Sequence, residues 1–385
     1  MNARSVARGA TLLGMLAALP TASAHGGEAA PPIPQWLAMV VLVAGVAVTL
    51  GSGYARRYVS PTLALVGVFD GLLIAVIGAI GLVQLSPVES LAASQPPLSH
   101  AWFGALTLGI GLAIVVGSLV VGRIRWPDRP RYAVLGMLLG LWVTYPVITQ
   151  GSLTNPLGYL LALAVPGTVG YLLWRDGRGL LSRALADGVA RWFGVGSGVL
   201  AGLFFMFSMG MLTFVPEYGR GVDLQESFVT TAKVANPLVY WPGVEFHFHD
   251  FFGTVPLSGV VSVGMGLLVG LVAVLVGLNA TLLAYQWRAN TAEHGSASSR
   301  PGTDDTADGG AEATAGSAAV AAPNACCCCG PVLAEMAVVS AGPAAAAPLY
   351  WLFVDLASPL GALFFVTSVG LLAGNLVRAG NRGSE

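Results

Sequence analysis

Charged residues are scarce in this chain. Lysine and arginine together number 18 and aspartate and glutamate 19 among 385 residues, and Lys233 is the only lysine. The charged fraction is 10%, whereas soluble globular chains carry about a quarter. The hydrophobic fraction is 55% and the mean hydropathy is +0.74. This composition excludes an ordinary soluble domain and predicts a membrane protein.

Several motifs are also missing. The chain has no P-loop, no glycine-rich dinucleotide turn after a strand, no Cys-x-x-Cys-His haem motif and no nucleophile elbow, which disfavours ATP-driven pumping by this chain alone. The net charge of −1 and the lack of a basic run disfavour a nucleic-acid partner. All four cysteines are adjacent, so no separated pairs predict a disulfide framework.

The first 24 residues have the features of a cleaved export signal. Arg4 and Arg8 precede an apolar stretch, 10–19, and residues 22–24 form the small-x-small pattern Ala-Ser-Ala. The apolar stretch is about half of the roughly 20 residues that a spanning helix needs. We therefore expect cleavage at that pattern and a mature chain that begins at His25 outside the cytoplasm.

Nine hydrophobic runs of spanning length predict an all-α fold, a polytopic bundle of transmembrane helices. They cover residues 36–54, 62–85, 101–122, 132–150, 156–174, 192–214, 256–286, 330–347 and 349–376. The fourth run contains Pro146, and the eighth is rich in alanine and other small residues. If the eighth run only dips into the bilayer, the C-terminus moves to the outer side.

The distribution of basic residues indicates how the spans are oriented. Cytoplasmic loops of membrane proteins carry an excess of arginine and lysine. Only Arg220 and Lys233 lie in predicted outer segments. The predicted cytoplasmic segments hold Arg56, Arg57, Arg123, Arg125, Arg129, Arg131, Arg175, Arg178, Arg183, Arg191, Arg288, Arg300, Arg378 and Arg382. This asymmetry predicts a multi-pass protein of the plasma membrane with its mature N-terminus outside and its C-terminus in the cytoplasm.

Two long stretches interrupt the hydrophobic runs. The outer loop 215–253 carries aromatic and acidic residues, whereas the cytoplasmic stretch 289–324 has the small and polar composition of a flexible linker. The expected organisation is therefore a signal peptide (1–24), a seven-span body (25–288), a linker (289–324) and a C-terminal two-span hairpin (325–385).

Histidines at the predicted outer face suggest a metal site. His25, His100, His247 and His249 lie there, and the last two alternate with phenylalanine in a segment that also contains Glu245 and Asp250. In an extended strand Glu245, His247 and His249 face one way. Neutral imidazole suits copper and zinc, and a carboxylate can bind the metal or orient a histidine. Alternatively, the histidines lie at the lipid headgroup level without binding a metal.

Sulfur-containing side chains form two further candidate ligand groups. Met206 and Met209 are one helical turn apart in the sixth run and suit Cu(I), although methionine also packs ordinary helix interfaces. The second group lies at the predicted cytoplasmic entrance of the eighth run and suits soft metals, a thiol redox centre or reversible acylation. Its members are Cys326, Cys327, Cys328 and Cys329.

Three acidic residues fall inside predicted spans: Asp70, Glu335 and Asp355. A charge at bilayer depth costs about 2.5–3.5 kcal/mol, so each should face the protein interior, have a partner or be protonated. We expect them to line a polar route. The alternative is that they hydrogen-bond neighbouring helices for structural reasons.

These patterns favour a metal-handling membrane protein that captures copper at the outer histidines and passes it to the cytoplasmic cysteines. An inside-negative potential favours such inward movement by about 2.3 kcal/mol per charge for each 100 mV. Two alternatives stay open: a membrane redox enzyme or electron-transfer subunit with an outer copper centre, and an accessory subunit of a larger membrane complex. Whether the chain is an enzyme is not decided by its sequence.

Overall fold

The computed structural model describes residues 34–56, 58–85, 99–149, 151–214, 226–249, 251, 256–297, 329–352 and 357–382. Its α-helices are α1 (Gln35–Ala55), α2 (Pro61–Gln84), α3 (Phe103–Arg125), α4 (Arg131–Ile148), α5 (Pro156–Leu172), α6 (Arg178–Ala186), α7 (Gly188–Ser208), α8 (Val263–Ala297), α9 (Cys329–Ala341), α10 (Pro343–Tyr350) and α11 (Ala357–Arg382). A 3₁₀ turn, His100–Trp102, precedes α3, and a π-helical segment, Leu173–Gly177, joins α5 to α6. The strands are β1 (Leu212–Thr213), β2 (Phe228–Val234), β3 (Trp241–Phe248) and β4 (Leu257–Ser262). The predicted signal peptide, 1–24, lies outside the described residues.

Short polar side chains define the starts of several helices. Asn155 Oδ1 accepts from the Leu157 amide at 3.0 Å, and Asp187 Oδ1 accepts from the amides of Val189 and Ala190, both at 3.0 Å. Ser60 caps α2 in the same way. These contacts satisfy amides that the first helical turn leaves without a carbonyl partner, so the chain begins a new helix at each of these sites.

The prediction of a polytopic α-helical bundle is confirmed. Among the described residues, eight helices are long and apolar enough to cross a membrane. They are α1, α2, α3, α4, the continuous segment from α5 to α6, α7, α8 and α11. Pro146 lies inside α4 without ending it, so the fourth predicted span is a continuous helix.

The eighth predicted span, 330–347, is the exception. The helix that begins there ends at Ala341, and α10 begins at Pro343 after Gly342, whose φ is 87°. Glycine adopts this backbone conformation readily, and proline suits the first turn of the next helix. The 13 residues of α9 extend about 20 Å, less than the roughly 30 Å of a bilayer's hydrocarbon core. The described part of the chain therefore contains eight helices of spanning length, and 330–347 is not one of them.

Glycine allows three pairs of helices to pack closely. A Cβ atom at Gly45 of α1 would lie 2.8 Å from the Gly71 carbonyl oxygen of α2. A Cβ at Gly111 of α3 would lie at the same distance from the Gly140 carbonyl oxygen of α4. The third pair is α7 with α8, where several glycines face each other. Such small-residue contacts let backbones approach in the membrane, where dispersion contacts replace the hydrophobic effect between helices.

A four-stranded antiparallel sheet caps one end of the bundle, in the order β1-β4-β3-β2. It includes β1 and β4, which the sequence analysis placed at the edges of spans 192–214 and 256–286. Those two boundaries were wrong because a short apolar run fits a buried strand as well as a helix, and hydropathy does not separate the two. The extended conformation predicted around His247 is confirmed as β3.

We call the end of the bundle that carries these strands the sheet end. Gln84 at the end of α2 donates to the Phe207 carbonyl of α7 at 3.1 Å, just before β1. Tyr159 near the start of α5 donates to the Tyr240 carbonyl beside β3. Gln35 at the start of α1 donates to the Leu82 carbonyl of α2, which places the first helix's N-terminus at the same end.

We call the opposite end the arginine end. Arg131 at the start of α4 pairs with Asp176, and Arg288 of α8 pairs with Asp187 at 2.6 Å. The guanidinium of Arg56 lies 4.9 Å from the ring centre of Trp287. The described arginines thus collect at the end away from the sheet, whereas Lys233 lies on β2. This geometry is the one expected if the spans alternate as predicted, and the choice of membrane side remains a prediction.

The C-terminal helix α11 packs inside the bundle. Phe365 lies 5.1 Å, ring to ring, from Trp142 of α4, and Val369 and Leu376 are fully buried. Helix α9 packs on α1 and α2, whereas α11 packs on α4 and α8, and the division into a seven-span body and a C-terminal two-span hairpin stays a prediction. Helix α8 also continues to Ala297, inside the stretch interpreted as a linker.

Candidate metal site at the sheet end

The sheet places His247 in a row of side chains that crosses all four strands. His247 of β3 is directly opposite Phe228 of β2 and Ser258 of β4, and Ser258 is opposite Thr213 of β1. Directly opposed residues of antiparallel strands project to the same face, so these four side chains are neighbours. The alternation of histidine and phenylalanine in the sequence therefore produces a polar row on one face of the sheet.

The His247 ring is held firmly. Its Nδ1 and the Ser258 Oγ are 2.6 Å apart, and the ring stacks on Phe228 with centroids 5.9 Å apart and planes inclined at 28°. Only 1% of the residue is exposed. A histidine held by a hydrogen bond at one ring nitrogen presents the other, here Nε2, in a defined direction, which is how proteins commonly orient metal ligands.

Glu245 shares a face of β3 with His247, and His249 lies in the turn directly after the strand. His249 is exposed, and its backbone amide donates to Ser227 Oγ at 3.0 Å. Glu245 is half-buried and opposite Thr230. Within the described part of the chain, no three His, Cys, Asp or Glu side chains come together as a metal cluster. The predicted ligands His25 and Asp250 lie outside the described residues, so the complete predicted set is not tested.

Three other predicted ligands lie at the same end of the molecule. The backbone of His100 begins the 3₁₀ turn that leads into α3, at the sheet end of the α3–α4 pair. Met206 lies in the last turn of α7, and Met209 follows it and is exposed. The Met211 amide donates to the Met206 carbonyl at 2.9 Å, which turns the chain into β1. Imidazoles and thioethers are therefore gathered at one end.

A polar network below the sheet includes the buried acid Glu335. Gln35 Nε2 donates to Glu335 Oε2 at 2.8 Å and to the Leu82 carbonyl at 3.1 Å. Two residues further along α2, the Gln84 amide oxygen accepts from Thr213 Oγ1 at 2.7 Å. The expectation that Glu335 has a partner and faces the interior is confirmed, and the two glutamines were missed because glutamine at a span boundary is common.

Helix α9 lies at an unexpected depth. Val332, one turn after Cys329, packs in a cluster with Ala38 and Leu82, both near the sheet end. Cys329 was expected at the arginine end, but its backbone begins a helix that packs against the sheet-end halves of α1 and α2. Of the other predicted residues, Cys326, Cys327, Cys328 and Asp355 lie outside the described residues, and Asp70 is half-buried in α2.

An ion pair at the arginine end was not singled out in the sequence. Arg131 donates to both carboxylate oxygens of Asp176, at 2.9 and 2.6 Å, and Tyr132 Oη donates to Asp176 Oδ2 at 2.8 Å. Asp176 lies in the π-helical segment, where the wider turn often marks a functional or strained position. A Cβ on Gly380 of α11 would approach the Asp176 carbonyl oxygen. Asp176, which follows α5, therefore contacts both the start of α4 and the end of α11.

An asparagine pair crosses the core between α8 and α11. Asn375 Nδ2 donates to Asn279 Oδ1 at 2.7 Å, and Asn279 Nδ2 donates to the carbonyls of Leu275 and Leu372 at 2.8 and 3.2 Å. Polar amides inside apolar runs are a recognisable signal, since such side chains join neighbouring membrane helices. This asparagine pair was not predicted, because the predictions for polar residues within the spans concerned only acids.

The fold and these contacts define a class: a multi-pass helical membrane protein whose bundle carries a small antiparallel sheet and a histidine-containing polar row at one end. The chain matches no protein-family model, no curated protein and no solved structure. Functional assignment therefore depends on the chemistry of the site itself.

Proposed function

We propose that this membrane protein binds a metal ion, with copper the favoured ion, at the sheet end through His247 and His249. The observation that carries the proposal is their position two residues apart, with His247 near the end of β3 and His249 in the turn directly after its last residue, Phe248. Two residues of extended chain span about 6.8 Å. Two imidazoles at that spacing can reach one ion with bonds of about 2.0–2.1 Å.

The environment of His247 supports a role as the fixed ligand of this pair. Ser258 Oγ holds Nδ1 at 2.6 Å, and Phe228 covers one side of the ring. A ring held in this way loses little rotamer freedom when it binds an ion. His249 is exposed and would complete the pair from the solvent side.

Methionines near the histidines favour copper over zinc. Met206 is half-buried, Met209 is exposed, and Met211 is buried directly before β1. Thioether sulfur selects Cu(I), and imidazole binds both copper oxidation states, whereas zinc sites use thiolate, imidazole and carboxylate. These residue types at one end of the bundle could bind both Cu(I) and Cu(II).

Transfer of copper across the bilayer to Cys326–Cys329 has less support than binding. The helix that begins at Cys329 packs beside α1 and α2 near the sheet end, so its backbone does not extend the route to the arginine end. Transport and redox chemistry are therefore alternatives that the same site could serve. An accessory role in a larger complex stays a prediction without a specific contact to support it.

Metal loading of the purified protein tests the proposal. The protein in detergent would be incubated with Cu(II), Cu(I) or Zn(II) alone, desalted and assayed for metal by mass spectrometry. We expect stoichiometric copper on the natural protein and its loss in His249→Ala, because an exposed side chain can be removed without disturbing packing. His294→Ala is the matched control, since the backbone of this histidine lies in the last turns of α8, beyond Arg288 of the arginine end.

Two outcomes would contradict the proposal: no copper above background on the natural protein, or equal copper on His249→Ala. A Ser258→Ala variant adds a graded readout. We expect a roughly 10–100-fold weaker affinity with unchanged stoichiometry, the usual effect of losing a group that orients a ligand. Copper uptake into sealed vesicles would then indicate transport, and a substrate-responsive Cu(II) signal would indicate a redox centre.

A further inference from the structure

A groove on the outside of the α3–α4 pair has the features of a lipid site. Its volume is about 340 Å³, within the range of roughly 300–1,000 Å³ of pockets that hold small molecules. Gly117, Gly122 and Ala133 lie along it, and Trp126 and Tyr132 lie at its arginine end. The groove is therefore apolar along its length and aromatic at one end.

The close packing of two helices creates this groove. A Cβ on Gly122 would lie 2.7 Å from the Ala133 Cβ, so the helices touch at that point. At Gly117 an added Cβ would meet nothing within 4 Å. The missing side chain leaves an open notch next to a close helix contact. Neighbouring residues such as Val116 and Val120 are more than half exposed, as expected of a surface that faces lipid.

Positive charge collects where the groove reaches the aromatic end. Arg123 and Arg125 occupy the last turn of α3 and are exposed, but only Arg125, four residues after Val121, lies on the side of the helix that lines the groove. Arg129 donates to Tyr132 Oη at 3.4 Å. Asp128 offsets part of this charge. Trp126 and Tyr132 make an edge-on contact with centroids 5.4 Å apart. Amphipathic aromatic rings favour the level of lipid headgroups, which places the guanidinium groups at the height of a phosphate.

We propose that this groove binds an anionic phospholipid, with an acyl chain along Gly117 and the phosphate beside Arg125. The choice of occupant follows from charge and shape together. Basic pockets between membrane helices bind anionic headgroups, and each nearby cation contributes about fivefold in affinity. A small soluble anion would use only the arginines and leave the apolar groove without a function.

Native mass spectrometry of the whole delipidated protein tests this site. Phosphatidylglycerol and phosphatidylcholine would be titrated separately, and retained lipid counted per chain. We expect selective retention of phosphatidylglycerol by the natural protein and a loss of at least fivefold in Gly117→Leu, which fills the notch. Gly109→Leu is the matched control, because Gly109 lies on the same helix, outside the groove, and an added Cβ there also meets nothing within 4 Å.

Charge variants separate the headgroup contribution from that of the acyl chain. Arg125→Gln should lower the preference for phosphatidylglycerol over phosphatidylcholine by about fivefold, whereas Arg123→Gln, on the opposite side of α3, should lower it less and serves as the charge control. Equal retention of the two lipids by the natural protein, or retention by Gly117→Leu equal to that of Gly109→Leu, would overturn the proposal. Displacement of phosphatidylglycerol by an equal concentration of inorganic phosphate would identify a free anion as the ligand and would also overturn it.

Discussion

The ion pair of Arg131 and Asp176 offers the sharpest test of the fold. The two residues are 45 positions apart in the sequence, yet their side chains form two hydrogen bonds at the arginine end. Side-chain exposure is 19% for Arg131 and only 7% for Asp176. Tyr132 adds a third hydrogen bond to the same carboxylate. The pair therefore joins α4 to the π-helical segment in a largely shielded place.

Removing one partner should cost more than the pair itself contributes. Asp176→Asn or Arg131→Gln leaves the other charge shielded and without its counter-ion, for which the expected loss is about 3–5 kcal/mol in the free energy of unfolding. The double variant removes both charges, so it should lose less than the sum of the two single variants. A coupling energy of about 2 kcal/mol or more is expected between these positions.

The assay is an unfolding titration with a denaturing detergent, followed by tryptophan fluorescence and circular dichroism. Arg178→Gln is the control, since Arg178 is an exposed arginine at the same end of the bundle. Tyr132→Phe should lose about 1 kcal/mol, the typical contribution of one hydrogen bond. Single variants no less stable than Arg178→Gln, or additive losses in the double variant, would refute this description of the arginine end.

Two further predictions concern the core of the bundle. Gly198→Leu should destabilise the protein by at least about 3 kcal/mol, since an added Cβ would lie 2.8 Å from the Ala273 carbonyl oxygen of α8, whereas Gly270→Leu has open space and serves as the control in the same titration. Asn375→Ala should cost about 0.6–2 kcal/mol because it leaves Asn279 with fewer partners. Unchanged hydrogen exchange and stability in Asn375→Ala would contradict the role of this pair.

Much of the fold could be predicted from local composition. A run of about 20 apolar residues forms a helix in the membrane because the backbone must satisfy its own hydrogen bonds there. This argument predicted the positions of α1 to α5, α7, α8 and α11. It failed for 330–347, where Gly342 and Pro343 end one helix and begin another without lowering the hydropathy. It also failed at 257–262, a segment that forms strand β4 although its hydropathy resembles that of the helix that follows.

The candidate site was predictable in part. Alternation correctly indicated that Glu245 and His247 share one face of a strand, because side-chain direction in a strand depends only on parity, whereas His249 lies in the turn after the strand. The burial of His247 and its contact with Ser258 were not predictable, since they depend on how β3 pairs with β4. The depth of α9 in the bundle was also not predicted. It depends on contacts between residues far apart in the sequence, such as the hydrogen bond from Gln35 of α1 to Glu335 of α9, which are 300 positions apart.

The sequence by itself determined that the chain lies in a membrane, where the spans lie approximately, and that most arginines and most histidines fall in alternate connecting segments. Each of these follows from the free energy of transferring a residue or a short run of residues between water and lipid, which needs no knowledge of neighbours. The tertiary structure decided which polar groups meet: His247 with Ser258, Arg131 with Asp176. It also created the groove at Gly117, because the shape left by a missing side chain exists only after two helices have packed.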